Sequence, residues 1–193
     1  MPTIAHEFDW PDRVVIGTVG HPGSRTFYLQ VRTGRRVVSA ALEKEQSALL
    51  AEKIDEILDE LMVNEGNPFS VPATTPVELV DNDPLEQPVD EQFRTGAMGL
   101  GWDPSTAQVV IEAYPLVVVD ADELESLDDD DLEPEEVLLV RMPVGTARAF
   151  AKRTREIVGA GRPICPLCGT PIDPEGHVCA VPDPDSGSDA DEL

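Results

Sequence analysis

The residue types best suited to chemistry lie together near the C-terminal end of the chain. They are Cys165-Pro-Leu-Cys168-Gly169 and, after a short loop with Pro171 and Pro174, Gly176-His177-Val-Cys179. All three cysteines of the chain and one of its three histidines are in this stretch. Cys165 and Cys168 stand three apart on a turn, which lets two thiolates converge on one ion, and Gly169 permits the tight backbone just after them. His177 and Cys179 are two apart, so on an extended segment they face the same side. Thiolate plus imidazole in this number suits a tetrahedral zinc ion, with Cys165, Cys168, His177 and Cys179 as the expected ligands. Four protein ligands fill the coordination sphere, so such a zinc would be structural and would not activate water. The rival chemistry is a redox Cys-Pro-Leu-Cys pair. Redox pairs usually sit at a helix N-terminus, whereas this one follows a helix stop and no helical pattern comes after it.

The bulk composition limits what this stretch serves. The chain has 38 acidic and 14 basic residues in 193, a formal net charge of −24. A field of that sign repels phosphate backbones, so nucleic-acid binding by the whole protein is disfavoured and basic partners are favoured. The first residues carry neither a basic nor an apolar leader segment, and no run approaches the ~20 apolar residues that span a bilayer. An odd cysteine count, all within one ligand-spaced cluster, fits a reducing compartment and a cytoplasmic location.

The elements that must carry the cysteines follow from periodicity. Residues 1–12 read as an irregular lead-in. Arg13–Val19, Thr26–Arg32 and Arg36–Ala41 read as short strands, with Phe27, Leu29 and Val31 on one face and a turn at Thr33-Gly34, which makes an antiparallel meander. From about Lys44 to Asn64 the period changes to 3.6: Leu50, Ile54, Ile57, Leu58 and Leu61 share one side of a helix. Residues 65–92 hold Pro68, Pro72, Pro76, Pro84 and Pro88, so an extended connector is expected there, with one short strand at Val77–Val80. A bent, glycine-rich strand from Phe93 to Gly101 pairs with Ala107–Tyr114, and Pro115 breaks that ladder. Residues 120–136 contain eleven carboxylates and no Lys or Arg, which predicts a solvated acidic loop. The EF-hand spacing is missing from it, so calcium binding is not expected. Val137–Met142 reads as a buried strand and residues 144–158 as a second helix, ended by Gly159, Gly161 and Pro163.

The domain organisation expected is an α+β domain over residues 1–162, a zinc-knuckle segment over 163–180 and a disordered acidic tail over 181–193. The fold class is a two-layer α+β arrangement, a mainly antiparallel sheet with both helices on one face. The order β-β-β-α, connector, β-β-β-α suggests an internal duplication, from element order alone.

Positive charge gathers in two places. One is Arg25, Arg32, Arg35 and Arg36; the other is Arg148, Lys152, Arg153, Arg155 and Arg162. Arg25, Arg32, Arg35, Arg36, Arg148, Lys152 and Arg155 are the candidate anion-binding set. The competing reading is a solvated helix face paired with the surplus carboxylates, which the global field favours. His21, between Gly20 and Pro22, lacks the phosphate-loop pattern and reads as a hairpin loop. His6 beside Glu7 and Asp9 is a weak acid–base grouping. No nucleophile elbow, dinucleotide fingerprint or separate catalytic triad is present in the sequence.

The segments Ala147-Arg-Ala-Phe-Ala-Lys-Arg153, Gly159-Ala-Gly-Arg-Pro-Ile-Cys-Pro-Leu-Cys-Gly169 and Pro171-Ile-Asp-Pro-Glu-Gly-His-Val-Cys179 resemble an uncharacterised actinobacterial family, domain of unknown function 3090. Phe27-Tyr-Leu-Gln30 and Leu42-Glu-Lys-Glu-Gln46 resemble it too, and the likeness covers most of residues 4–180. The family's cysteines and histidine fall on Cys165, Cys168, His177 and Cys179. The chain departs from the family after Cys179, where Ala180 and an acidic tail replace a more basic end. The resemblance implies a bacterial cytosolic, metal-binding protein without an established activity, encoded near a histidine-phosphatase-like and a kinase-like protein. The expectation is a zinc-binding accessory protein with a protein partner. Its alternatives are an enzyme or binding protein for a small phosphorylated or acidic ligand at the arginine clusters, and local nucleic-acid binding through the basic helix and zinc loop.

Overall fold

A computed structural model describes residues 4–117 and 136–161, together with Cys165, Leu167, Cys168, Ile172 and Cys179. The expectations for residues 120–135, for the 181–193 tail, for His177 and for Arg162 therefore lie outside the described residues. The strands are β1 (Ile4–Asp9), β2 (Arg13–Val19), β3 (Thr26–Thr33), β4 (Arg36–Leu42), β5 (Glu91–Asp103), β6 (Gln108–Pro115) and β7 (Glu136–Pro143). The helices are α1 (Lys44–Met62), after β4, and α2 (Val144–Gly159), after β7. The strands form one sheet in the order β1-β7-β6-β5-β4-β3-β2. Only β1–β7 and β4–β5 are parallel pairs.

Alternation in the strands assigns the sheet's two faces. Ile16, Leu29, Ala40, Ile111 and Val140 lie on one face and join a single apolar core with Leu50, Ala51 and Ile54 of α1 and Ala147, Phe150 and Ala151 of α2. Both helices thus cover the same face, the expected α+β layering. α1 starts with a reciprocal cap: Gln46 Oε1 accepts the Glu43 amide at 2.8 Å while the Glu43 side chain takes the amide of Gln46. No helix among the described residues is long and apolar enough to cross a membrane.

Residues 1–12 are not an irregular lead-in, because Ile4–Asp9 pairs along β7. Phe8 alone is buried in this strand, so the apolar alternation that would have marked it is absent. Its placement shapes the whole sheet. β1 and β2 are at opposite edges, yet only Trp10–Asp12 separate them. Seven flat strands would put those edges about 29 Å apart at ~4.8 Å per spacing. Four Cα steps reach at most about 15 Å. The sheet must therefore curl until its edges approach. Trp10 makes the bend at φ 52°, donating its amide to Arg141 O at 3.1 Å in β7, next to one edge. Two residues later Asp12 donates to Arg32 O at 2.9 Å in β3, next to the other.

The curled sheet carries the duplication in its register. Ile16 faces Leu29, which faces Ala40; Leu100 faces Ile111, which faces Val140. Phe93 lies beside Ala40 as Phe8 lies beside Val140, both across parallel pairs. The helices that come next bury Leu50 and Ala51 in one case and Phe150 and Ala151 in the other. β5 therefore serves alone where β1 and β2 serve together: its start pairs with β4, and beyond a register shift its end pairs with β6.

The connector between the repeats is an ordered strap. No strand forms at Val77–Val80; Val77–Leu79 is a short 3-10 turn, closed by Leu79 N–H to Pro76 O at 3.0 Å. Val77 is 85% exposed and pairs with no neighbouring strand, so its β-branched side chain had no sheet to join. Further on, Leu85 is buried against Gly17, on the sheet face away from the helices. A Cβ on Gly17 would stand 2.5 Å from Leu85 Cγ. The Gln30 amide clamps the next residue at both ends, accepting Glu86 N–H at 2.8 Å and donating to Glu86 O at 3.1 Å.

Candidate metal centre

α2 delivers the chain to the cysteines. The Ala160 amide returns to Glu156 O at 2.9 Å, and the helix goes no further. Its last turn is tied to the sheet by Arg25, which donates to Ile157 O at 3.2 Å and lies 5.3 Å over the Phe27 ring. Beyond this anchored end, the sulfurs of Cys165, Cys168 and Cys179 all lie within 4.8 Å of one another. Cys165 is buried, and the other two are half-buried. Cys165 Sγ and Cys179 Sγ are 3.9 Å apart. That is far outside a disulfide bond of about 2.05 Å. It matches the edge of a tetrahedron built on a metal–sulfur bond of about 2.3 Å, which is about 3.8 Å. The residues present therefore fit a thiolate-bound metal ion, and this is the one such group of potential ligands among the described residues. His177, the expected fourth ligand, lies outside them.

The arginines go separate ways. Arg148 is buried and donates to Asp55 Oδ1 and Asp59 Oδ1 of α1, both at 2.7 Å, and to Pro72 O at 3.1 Å. Arg155 also faces Asp55, and Lys152 pairs with Glu156 at 2.9 Å. Arg32 meets Glu86 at 2.7 Å. Arg36 donates to Glu7 O at 3.1 Å and stands 4.5 Å over the Phe8 ring, while Arg35 is exposed on the turn beside Gly34. Of this set, a cavity of about 480 Å³ between the helices takes in Arg155 alone, and a larger one of about 550 Å³ takes in none. His6, grouped in sequence with Glu7 and Asp9, instead meets Glu136 at 2.5 Å, while Asp9 accepts from Gln108 at 2.8 Å. His21 is exposed in the β2–β3 loop, its carbonyl accepting the Ser24 amide.

The larger cavity is bordered by a charged cluster that sequence reasoning missed, Arg13, Arg153 and Asp81. Arg153 donates to Ile16 O at 3.1 Å, Asp81 Oδ1 at 2.8 Å and Asp83 O at 2.7 Å, and also meets Asp81 O. Arg13 donates to Asp81 Oδ2 at 2.6 Å and Asp83 O at 2.9 Å. The Arg13 hydrogen bond holds the Asp81 carboxyl below its usual range. That same bond raises Arg13, whereas burial lowers Arg153. Two guanidiniums thus fasten the strap to β2 and α2 through one carboxylate and nearby carbonyls. The only sequence signal for this was the position of Arg153 one turn after Phe150, on the buried side of α2.

The chain matches the family model described as "Protein of unknown function (DUF3090)" over residues 6–179. No curated protein and no solved structure matches it.

Proposed function

The chain belongs to the DUF3090 family, and on that premise we propose that it is a zinc-binding accessory protein of the bacterial cytosol. In this reading Cys165, Cys168 and Cys179, with His177, hold a structural zinc ion that fastens the C-terminal segment to the end of α2. The convergence of three thiols at the spacing of a tetrahedral site carries the reading. When bound, the ion supplies cross-linking of the segment, because four protein ligands leave no position for a substrate. The binding role rather than an enzymatic one is supported by the arginines: Arg148, Arg155, Lys152 and Arg32 each face a carboxylate of the same chain, so little of that charge is left for an anionic substrate.

Metal analysis of the purified chain tests this. Zinc should co-purify at about one equivalent per chain, and Cys168→Ala should lose it. Metal-free protein whose C-terminal amides remain well dispersed in an NMR spectrum would end the proposal.

A further inference from the structure

The two repeats differ on the sheet face turned away from the helices. In the first, Val15, Gly17, Tyr28 and Gln30 share this face, and the strap lies across it with Leu85 over Gly17. In the second, the corresponding register positions are Gly99, Gly101, Val110 and Glu112. Among the described residues nothing covers Gly101; a Cβ there would meet no atom within 4 Å.

We propose that this bare face is a docking surface for an extended segment of a partner protein. The segment would set an apolar side chain over Gly101 and a basic side chain against Glu112. The first repeat holds such a segment within the chain itself: Leu85 fills the glycine notch, and Gln30 clamps both backbone groups of Glu86. Glu112 stands where Gln30 stands, and a carboxylate can only accept hydrogen bonds. It cannot clamp a carbonyl, so the segment it suits must bring extra donors, and arginine or lysine is the side chain that does. Tyr114 already donates to Glu112 Oε2 at 2.9 Å, which leaves acceptor positions open on the carboxylate. Glu7 lies on the same row, across Leu139, and its contact with Arg141 is a loose 4.0 Å. A chain carrying −24 would steer a cationic segment to this face and repel its own acidic stretches. A second copy, with 14 basic against 38 acidic residues, is a poor source of that cation.

The test titrates the hexapeptide Asn-Pro-Leu-Arg-Gln-Pro into the isotope-labelled full chain and follows the amides of Gly99, Gly101 and Leu139. The same peptide with Glu in place of Arg is the control. The arginine peptide should shift these amides at a concentration at least about tenfold lower than the control. Glu112→Gln should abolish that preference. Gly101→Leu, which fills open space and leaves the fold intact, should weaken binding about tenfold or more. The proposal is overturned by any of three results: no shift at about 2 mM arginine peptide; equal binding of both peptides; or binding undiminished in Gly101→Leu. Self-association of the chain that Gly101→Leu removes would also overturn it, by putting a second copy on the face.

Discussion

After α1 the chain runs through residues 63–90 as a strap, pinned by Asp81, seated by Leu85 and clamped at Glu86. After α2 it runs to three converging cysteines. Up to those exits the repeats agree on the core face: Leu29 and Ile111 centre their hairpins, Ala40 and Val140 flank them, and Phe8 and Phe93 close the parallel seams. The repeated core face is apolar, so it sustains the fold twice over. The segment leaving each helix is free to differ, because it meets the skeleton only through surface notches and polar anchors. One exit supplies structure by burial and ion pairing. The other brings together three thiols whose spacing fits a metal ion.

The contrast between the two exits is largest at the strap's anchor. Asp81→Ala leaves the Arg153 guanidinium, with a side chain 9% exposed, without its carboxylate. It should cost about 3–5 kcal/mol in urea unfolding. A loss under about 1 kcal/mol would mean that the strap contributes little to the first repeat.

Acid should loosen the same anchor. The Asp81 carboxyl is held below its usual value by Arg13, so its stabilisation is fully present above the unfolded carboxylate pKa of about 4. It is lost as pH falls through the lower folded value. Amide exchange in residues 78–86 should rise in that window, and Asp81→Asn should remove the pH dependence.

Matched glycine substitutions give the smaller effects. Gly17→Val drives a side chain into Leu85 and should cost about 1–3 kcal/mol. Gly101→Val, at the corresponding place in the second repeat, meets open space and should change stability by less than about 0.5 kcal/mol. Equal costs at both positions, measured by thermal unfolding, would show that the second face is covered as the first is.

The helices were legible because their apolar residues recur at 3.6 spacing through Leu50, Ile54 and Leu58, a pattern that needs no knowledge of what they pack against. β3 was legible by the alternation of Phe27, Leu29 and Val31, β4 by the turn at Thr33-Gly34 that returns the chain, and β6 as the hairpin partner of the glycine-rich strand. β1 was not, since one buried residue in six makes no pattern. The strap's composition read as an extended connector; its fixed path comes from partners 56 to 72 residues away, such as Gln30 for Glu86 and Arg153 for Asp81. Arg148 and Arg153 read as cations of a basic helix, and tertiary contacts bury both.

Spacing between near neighbours was enough to set both helices, every strand but β1, the two-layer class and the thiol pattern at Cys165, Cys168 and Cys179. Tertiary structure alone decided the curl that joins β1 to β2, the face the strap covers, the carboxylates that neutralise the arginines, and the meeting of Cys179 with Cys165. Those features depend on closing long loops, and the reward for closure lies in burial and hydrogen bonds that exist only once the sheet has formed.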